Sequence, residues 1–134
     1  MAETSATAKI ENFGSEALNT MIKKLQASSD PKRRYEYVLW LAKKLPDLPE
    51  GSRTEVFKVK GCISQVFVLG ELIGGKLQWK GFSDALITKG LLSFLIQGLN
   101  DLTPEEVISI SPEFIKATGL HSSLTPSRAN GFLN

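Results

Sequence analysis

The sequence predicts an α+β fold, a small curved antiparallel sheet of about three strands with helices packed around it. Helical patterns occupy both ends of the chain and strand-like patterns occupy the middle, with no repeat of solenoid length. A length of 134 residues suits one domain with its own core. We therefore expect a flexible tail over residues 1–9, which are small and polar, and a single domain over residues 10–134.

Two helices are predicted before the sheet. Ser15 is placed to cap the first helix, which runs to about Gln26 because apolar residues recur at helical spacing. Asp30 followed by Pro31 combines a favourable cap with a favourable first residue, and this pair starts the second helix. The stretch "LPDLPEG" ends that helix and leads towards the sheet.

Three segments are strand candidates, "EVFKV", "SQVFVLGEL" and "KLQWKGF". Residues 66–69 are apolar on both alternating faces, which is typical of a central strand. Leu77 and Trp79 alternate with polar residues, as they do in a half-exposed strand. The turn "IGG" joins the last two segments, so the pattern indicates an antiparallel meander.

Helices are predicted again after the sheet. Ser83 is placed to cap a long helix that runs to about Leu99. The segments "TPEEVISI", "SPEFIKATG" and "TPSRANGFLN" each begin with a hydroxyl residue before proline, which is a typical helix start.

Composition excludes several classes of function. A formal net charge of +2 does not indicate binding to nucleic acid or to an anionic membrane. One cysteine, Cys62, and one histidine, His121, are too few for a typical zinc or iron–sulfur site, so no metal site is predicted. No signal peptide is recognisable, and polar residues break the longest apolar run, "ALITKGLLSFLIQGL". We therefore expect a cytoplasmic protein without a membrane span.

Cys62 lies in the stretch "KVKGCISQVFV", and its residues leave two interpretations open. Free cysteines are among the most buried residues and are usually inert, which favours a structural thiol. However, Gly61 permits a sharp turn, and the neighbouring Lys58 and Lys60 favour the thiolate, which is the nucleophilic form. The residues alone make a reactive thiol about as plausible as a core thiol.

Three separated motifs resemble the SufE family of sulfur acceptors in iron–sulfur cluster assembly. They are "GCISQV" at 61–66, "SDALITKGL" at 83–91 and "LTPSRANG" at 124–131, and "KKLPDLPEG" fits the segment that precedes the family's sheet. The likeness runs from about Ile22 to Gly131. Phe67 stands where many members have tryptophan, and many members extend their last helix further.

The resemblance implies a sulfur carrier rather than an enzyme, with Cys62 on a loop between strands. Cys62 would accept persulfide sulfur from a SufS-like cysteine desulfurase, stimulate that enzyme and pass the sulfur to an iron–sulfur scaffold complex. Pyridoxal phosphate would belong to the desulfurase, and this chain would need no cofactor. Gly61, Ser64 and Gln65 would support the cysteine loop or contact the partner.

Two further residues in the resembling motifs are candidates for the site. Asp84 falls on the predicted inward face of the long helix, where it either favours the helix dipole or aids capping, or has a direct chemical role. An intermediate possibility is a hydrogen bond that ties the helix to the Cys62 loop. Arg128 falls in a first helical turn, where the dipole disfavours a cation, and the residues leave open either a solvated surface arginine or a contact with a partner. The resemblance implies the second, a contact with the cysteine loop or the desulfurase.

Two alternative functions stay open from the sequence. A pair of Cys62 and His121 could act in acyl transfer, although no orienting acid or oxyanion motif accompanies it. The chain could instead regulate a partner by binding alone, with Cys62 as a buried structural residue.

Overall fold

The protein, seen in a computed structural model, has an α+β architecture, as the sequence predicts. The structure describes residues 13–27, 29–59, 65–118 and 120. The predicted tail, the cysteine loop at 60–64, the predicted turn with His121 and the last predicted helix with Arg128 lie outside the described residues. The helices are α1 (Glu16–Gln26), α2 (Pro31–Ala42), α3 (Leu86–Leu99), α4 (Pro104–Ser109) and α5 (Phe114–Thr118).

The predicted helix starts hold at three places. The Ser15 hydroxyl accepts a hydrogen bond from the Leu18 amide and donates one to the Gly98 carbonyl, so it caps α1 and fastens it to the end of α3. The carboxylate of Asp30 caps α2 by accepting from the Lys32 amide. Thr103 opens α4 in a reciprocal capping box with Glu106.

The sheet among the described residues has two strands, β1 (Val66–Ile73) and β2 (Lys76–Ser83). They pair antiparallel, with Val66 opposite Ser83 and Ile73 opposite Lys76. Gly74 and Gly75, both at positive φ, form the two-residue hairpin turn between them.

The expected count of about three strands is corrected to two among the described residues. The segment "EVFKV" begins as a 3₁₀ turn at Glu55–Phe57 and meets β1 through a single bridge, Lys58 to Phe67. A strand requires a ladder to a neighbour, and the 3₁₀ turn at Glu55–Phe57 leaves only that one bridge among the described residues. The local alternation of apolar residues does not encode that turn.

Helix α3 lies at the centre of the molecule. It contacts α1, α2 and β2, and its buried residues include Leu91 and Phe94 of the main core. A Cβ atom built at Gly90 would collide with the backbone of Val38, so this glycine allows α2 and α3 to approach closely. A second, smaller apolar cluster, Val66 with Leu92 and Ile96, joins the sheet to α3.

Candidate functional site

The candidate site is the base of the cysteine loop, whose two ends the structure brings together. The Val59 amide donates a hydrogen bond of 2.8 Å to the Val66 carbonyl, next to the bridge between Lys58 and Phe67. Val66 is buried and Val59 packs against its cluster, so both ends of the loop are fixed to the core beneath α3. Cys62 falls in sequence between these fixed ends. Cys62, Gly61 and Ser64 themselves lie outside the described residues.

Asp84 and Gln65 join the C-terminal end of this loop to the segment that precedes α3. The Gln65 amide donates to Asp84 Oδ1 at 2.9 Å, and the Asp84 amide donates to the Gln65 carbonyl at 3.3 Å. We call these two hydrogen bonds the Asp84–Gln65 bracket. It carries the strand pairing one residue beyond Val66 and Ser83.

The bracket corrects two expectations about the start of α3. Ser83 is buried as the last residue of β2, and its hydroxyl accepts from the Ala85 amide instead of capping a helix that begins there. Asp84 is exposed and precedes the helix, which starts at Leu86, so its expected position on an inward helical face is wrong. The chain becomes helical later than predicted because the Asp84 backbone is still paired with Gln65.

The electrostatic surroundings of the loop are less cationic than the sequence indicates. Lys58 Nζ lies 3.8 Å from Glu55 Oε1, one turn earlier in the chain. Such a surface pair contributes little stability, but the nearby carboxylate offsets the positive potential that Lys58 provides. Lys60 lies outside the described residues. Lys58 therefore gives weaker support to a thiolate at Cys62 than its position in the sequence implies.

Two apolar side chains that lie close in sequence to the ends of the loop are exposed, and no sequence pattern indicates them. Val56 is 85% exposed and lies two residues before Lys58 in the chain; Leu86 is 61% exposed and lies two residues after Asp84. Neither interrupts an apolar pattern, so the sequence alone gives no sign that they point to solvent. Exposed apolar side chains beside a candidate reactive loop are suited to contact a partner protein.

Arg53 is a further residue that the sequence analysis did not identify. Its guanidinium lies over the Phe82 ring at 3.6 Å from the centroid, and its Nε donates to the Leu48 carbonyl at 2.9 Å. Arg53 also lies 3.5 Å from Asp47. These contacts fasten the segment before the loop to the outer face of β2, close to the pair of Phe67 and Phe82.

Neither a metal cluster nor a membrane span is found in the part of the chain that the structure describes. No three His, Cys, Asp or Glu side chains there converge as metal ligands. No helix within the described ranges has the length and apolar character needed to cross a membrane.

The chain is similar to known proteins over most of its length. The family described as "SufE: Fe-S metabolism associated domain" matches residues 19–134. An uncharacterised SufE-like protein of Synechocystis is 50% identical over 117 residues, which cover 87% of this chain and 74% of that protein. The cysteine desulfuration protein SufE of Plasmodium vivax is 39% identical over 110 residues, which cover 79% of this chain and 43% of that protein.

A solved structure supports the same relationship. The solution structure of a hypothetical protein from Thermus thermophilus aligns with a TM-score of 0.76 at 26% identity, over 89% of this chain and 87% of that one. A family match over most of the chain, a half-identical SufE-like relative and a common fold agree with one another. This chain belongs to the SufE family.

Proposed function

We propose that this protein is a sulfur carrier that accepts persulfide sulfur on Cys62 from a cysteine desulfurase and delivers it to iron–sulfur cluster assembly. The observation that carries the proposal is the position of Cys62. It falls in "GCISQV", within a family associated with Fe–S metabolism, on a segment whose two ends are fixed to the core.

The proposed transfer is a thiol–disulfide type of exchange that needs no external oxidant. The Cys62 thiolate attacks the outer sulfur of the desulfurase persulfide, a new S–S bond forms on Cys62, and the donor cysteine leaves as a thiolate. The electrons balance because one S–S bond replaces another. Pyridoxal phosphate chemistry belongs to the desulfurase, and this chain supplies the nucleophile.

The described residues support this proposal by fixing and flanking the loop. The Asp84–Gln65 bracket and the hydrogen bond between Val59 and Val66 hold both ends of the loop in place. A fixed base reduces the conformational freedom that a partner would otherwise have to restrict on docking. Val56 and Leu86 provide exposed apolar surface beside that base.

Desulfurase turnover tests the proposal. Adding this protein to a SufS-like desulfurase with free cysteine should raise the rate of turnover, because removing sulfur from the donor frees it for another cycle. Cys62→Ser should abolish the increase while leaving docking intact, since serine is similar in shape and a poor nucleophile. Arg128→Ala should give an intermediate loss.

His121→Ala is the control that separates a sulfur carrier from an acyl-transfer enzyme. This variant should stimulate desulfurase turnover as the wild type does. A loss as large as that of Cys62→Ser would favour a cysteine–histidine enzyme. Stimulation by Cys62→Ser equal to that of the wild type would instead make the protein a binding regulator with a structural thiol.

A further inference from the structure

An open groove of about 390 Å³ lies between α1 and α2. Its lining includes the buried side chains of Met21 and Leu41. Tyr37 and Trp40 stack at 5.8 Å between ring centroids, and Trp40 remains 47% exposed. A half-exposed tryptophan beside an apolar base is a typical anchor surface for a partner.

The lining of this groove is cationic. It includes Lys24 and Lys44 and no aspartate or glutamate. Lys44 Nζ lies 5.1 Å from the centroid of the Trp40 ring, so a cation is held next to the aromatic surface. An occupant that covers Trp40 would meet positive charge beside it.

The segment that contains α1 and α2 also carries a net positive charge. The stretch from Glu16 to Lys44 carries seven basic residues and three acidic ones, whereas the whole chain has a formal net charge of only +2. Neither Lys24 nor Lys44 forms an ion pair with any described residue. Ion pairs between described residues lie outside that stretch, at Asp47–Arg53, Glu55–Lys58 and Glu71–Lys80.

This chemistry selects among possible occupants. A second copy of the chain would bring the same lysines together, and like charges at an interface oppose association. Carboxylates next to an apolar side chain would satisfy both the lysines and the tryptophan. We propose that the groove binds an acidic amphipathic segment of a partner protein, with carboxylates on Lys24 and Lys44 and an apolar anchor against Trp40 and Met21.

The groove is separate from the described base of the cysteine loop, since neither Val59 nor Gln65 contributes to its lining. Gln97, which contributes to its lining, lies eleven residues along α3 from Leu86, roughly 16 Å at 1.5 Å per residue. A partner in the groove would leave Val56 and Leu86 uncovered for a second protein. The proposal therefore does not depend on sulfur transfer.

A selection of random short peptides displayed on phage against the full-length protein tests this proposal. The enriched peptides should combine Asp or Glu with an aromatic or aliphatic residue. The double variant Lys24→Glu/Lys44→Glu should weaken binding of the selected peptide about tenfold or more, and Trp40→Ala should weaken it several-fold. The double variant Lys32→Glu/Lys76→Glu makes the same change in charge outside the groove and should alter binding by less than about twofold.

Four kinds of outcome would overturn the proposal. The first is an absence of charge dependence, seen either as enrichment of peptides without acidic residues or as equal binding to the Lys24→Glu/Lys44→Glu variant. The second is tighter binding of a single-stranded oligothymidylate that competes with the peptide. The third is self-association of the wild type that this variant abolishes. The fourth is an increase in peptide affinity in the full-length variant Glu3→Lys/Glu11→Lys, which would make the chain's own N-terminal segment the occupant.

Discussion

Asp84 is the described residue that most directly connects the cysteine loop to the rest of the molecule. Its carboxylate accepts from the Gln65 amide and its own amide donates to the Gln65 carbonyl, so side chain and backbone both contribute to the bracket. The carboxylate lies before α3 and is engaged with a neighbouring strand end. We therefore interpret Asp84 as a residue that positions the loop.

Substitution of Asp84 separates this positioning role from a general loss of stability. Asp84→Ala removes the acceptor, which should lower the free energy of unfolding by about 0.5–1.5 kcal/mol and speed hydrogen exchange at the Gln65 amide. Desulfurase stimulation should fall about two- to tenfold. Asp84→Asn retains a carbonyl oxygen as acceptor and should stay near the wild type in all three measurements. Equal exchange at Gln65 in the two variants would contradict the role of the bracket.

The sequence identified Asp84 as a candidate but placed its side chain incorrectly. The helical pattern around "SDALITKGL" fits a start at Ser83 as well as it fits one at Leu86. The later start depends on the pairing between Asp84 and Gln65, which are distant in sequence. Short-range patterns carry no information about such a pairing.

At the scale of elements, helix starts were predicted where a local side chain decides them. Ser15, Asp30 and Thr103 cap their helices with hydroxyl or carboxylate groups that lie within three residues of the amide they bind. The predicted strand at 55–59 depended on a partner elsewhere in the chain, and there the structure has a 3₁₀ turn with a single bridge. The three caps could therefore be read from nearby residues, and so could the hairpin of β1 and β2 with its short turn. The lack of a third strand at 55–59 could not.

The close packing of α2 against α3 depends on Gly90. Gly90→Ala would place a methyl group against the Val38 backbone, which cannot move as a side chain tip can. This strain should exceed the gain in helix propensity and lower the free energy of unfolding by about 1–3 kcal/mol. Gly51→Ala is the control, since its methyl group meets no atom within 4 Å. A thermally or chemically measured stability of Gly90→Ala equal to that of Gly51→Ala would contradict this packing.

The capping box of α4 should make a small contribution to stability that depends on pH. Hydrogen bonds from the Thr103 backbone and hydroxyl lower the pKa of Glu106. Because the pKa is lower in the folded state, this contribution is present above the unfolded pKa and is lost as pH falls through the folded pKa. The stability difference between wild type and Glu106→Gln should therefore shrink on acidification below about pH 4. If this difference in stability stays constant as the pH is lowered through the acidic range, the predicted contribution of the Glu106 carboxylate is wrong.

On the scale of the whole molecule, the two candidate surfaces lie at different ends of α3. The cysteine loop is fixed near its start by the Asp84–Gln65 bracket, whereas Gln97 near its end borders the groove between α1 and α2. A small net charge conceals this arrangement, because basic residues concentrate on the first two helices. The net charge of the chain does not indicate a basic surface. The positions of Lys24 and Lys44 do, because the fold places both in the lining of one groove.

A carrier of this kind should not hold a stable iron–sulfur cluster. The chain contains one cysteine, and such clusters are usually held by several thiolate or histidine ligands. Anaerobic reconstitution with iron and sulfide, followed by absorbance spectroscopy, should give no stoichiometric chromophore on the purified protein. A stable cluster that survives gel filtration would point to an oligomeric scaffold instead of a carrier.

Intact-protein mass spectrometry under non-reducing conditions tests the central claim most directly. After incubation with an active cysteine desulfurase and free cysteine, the wild type should gain the mass of one sulfur atom. Fragmentation should place that sulfur on Cys62, and a reducing thiol should remove it. Cys62→Ser should gain no sulfur. If the wild type stays unmodified while the desulfurase is shown to be active in the same mixture, Cys62 is not the sulfur acceptor.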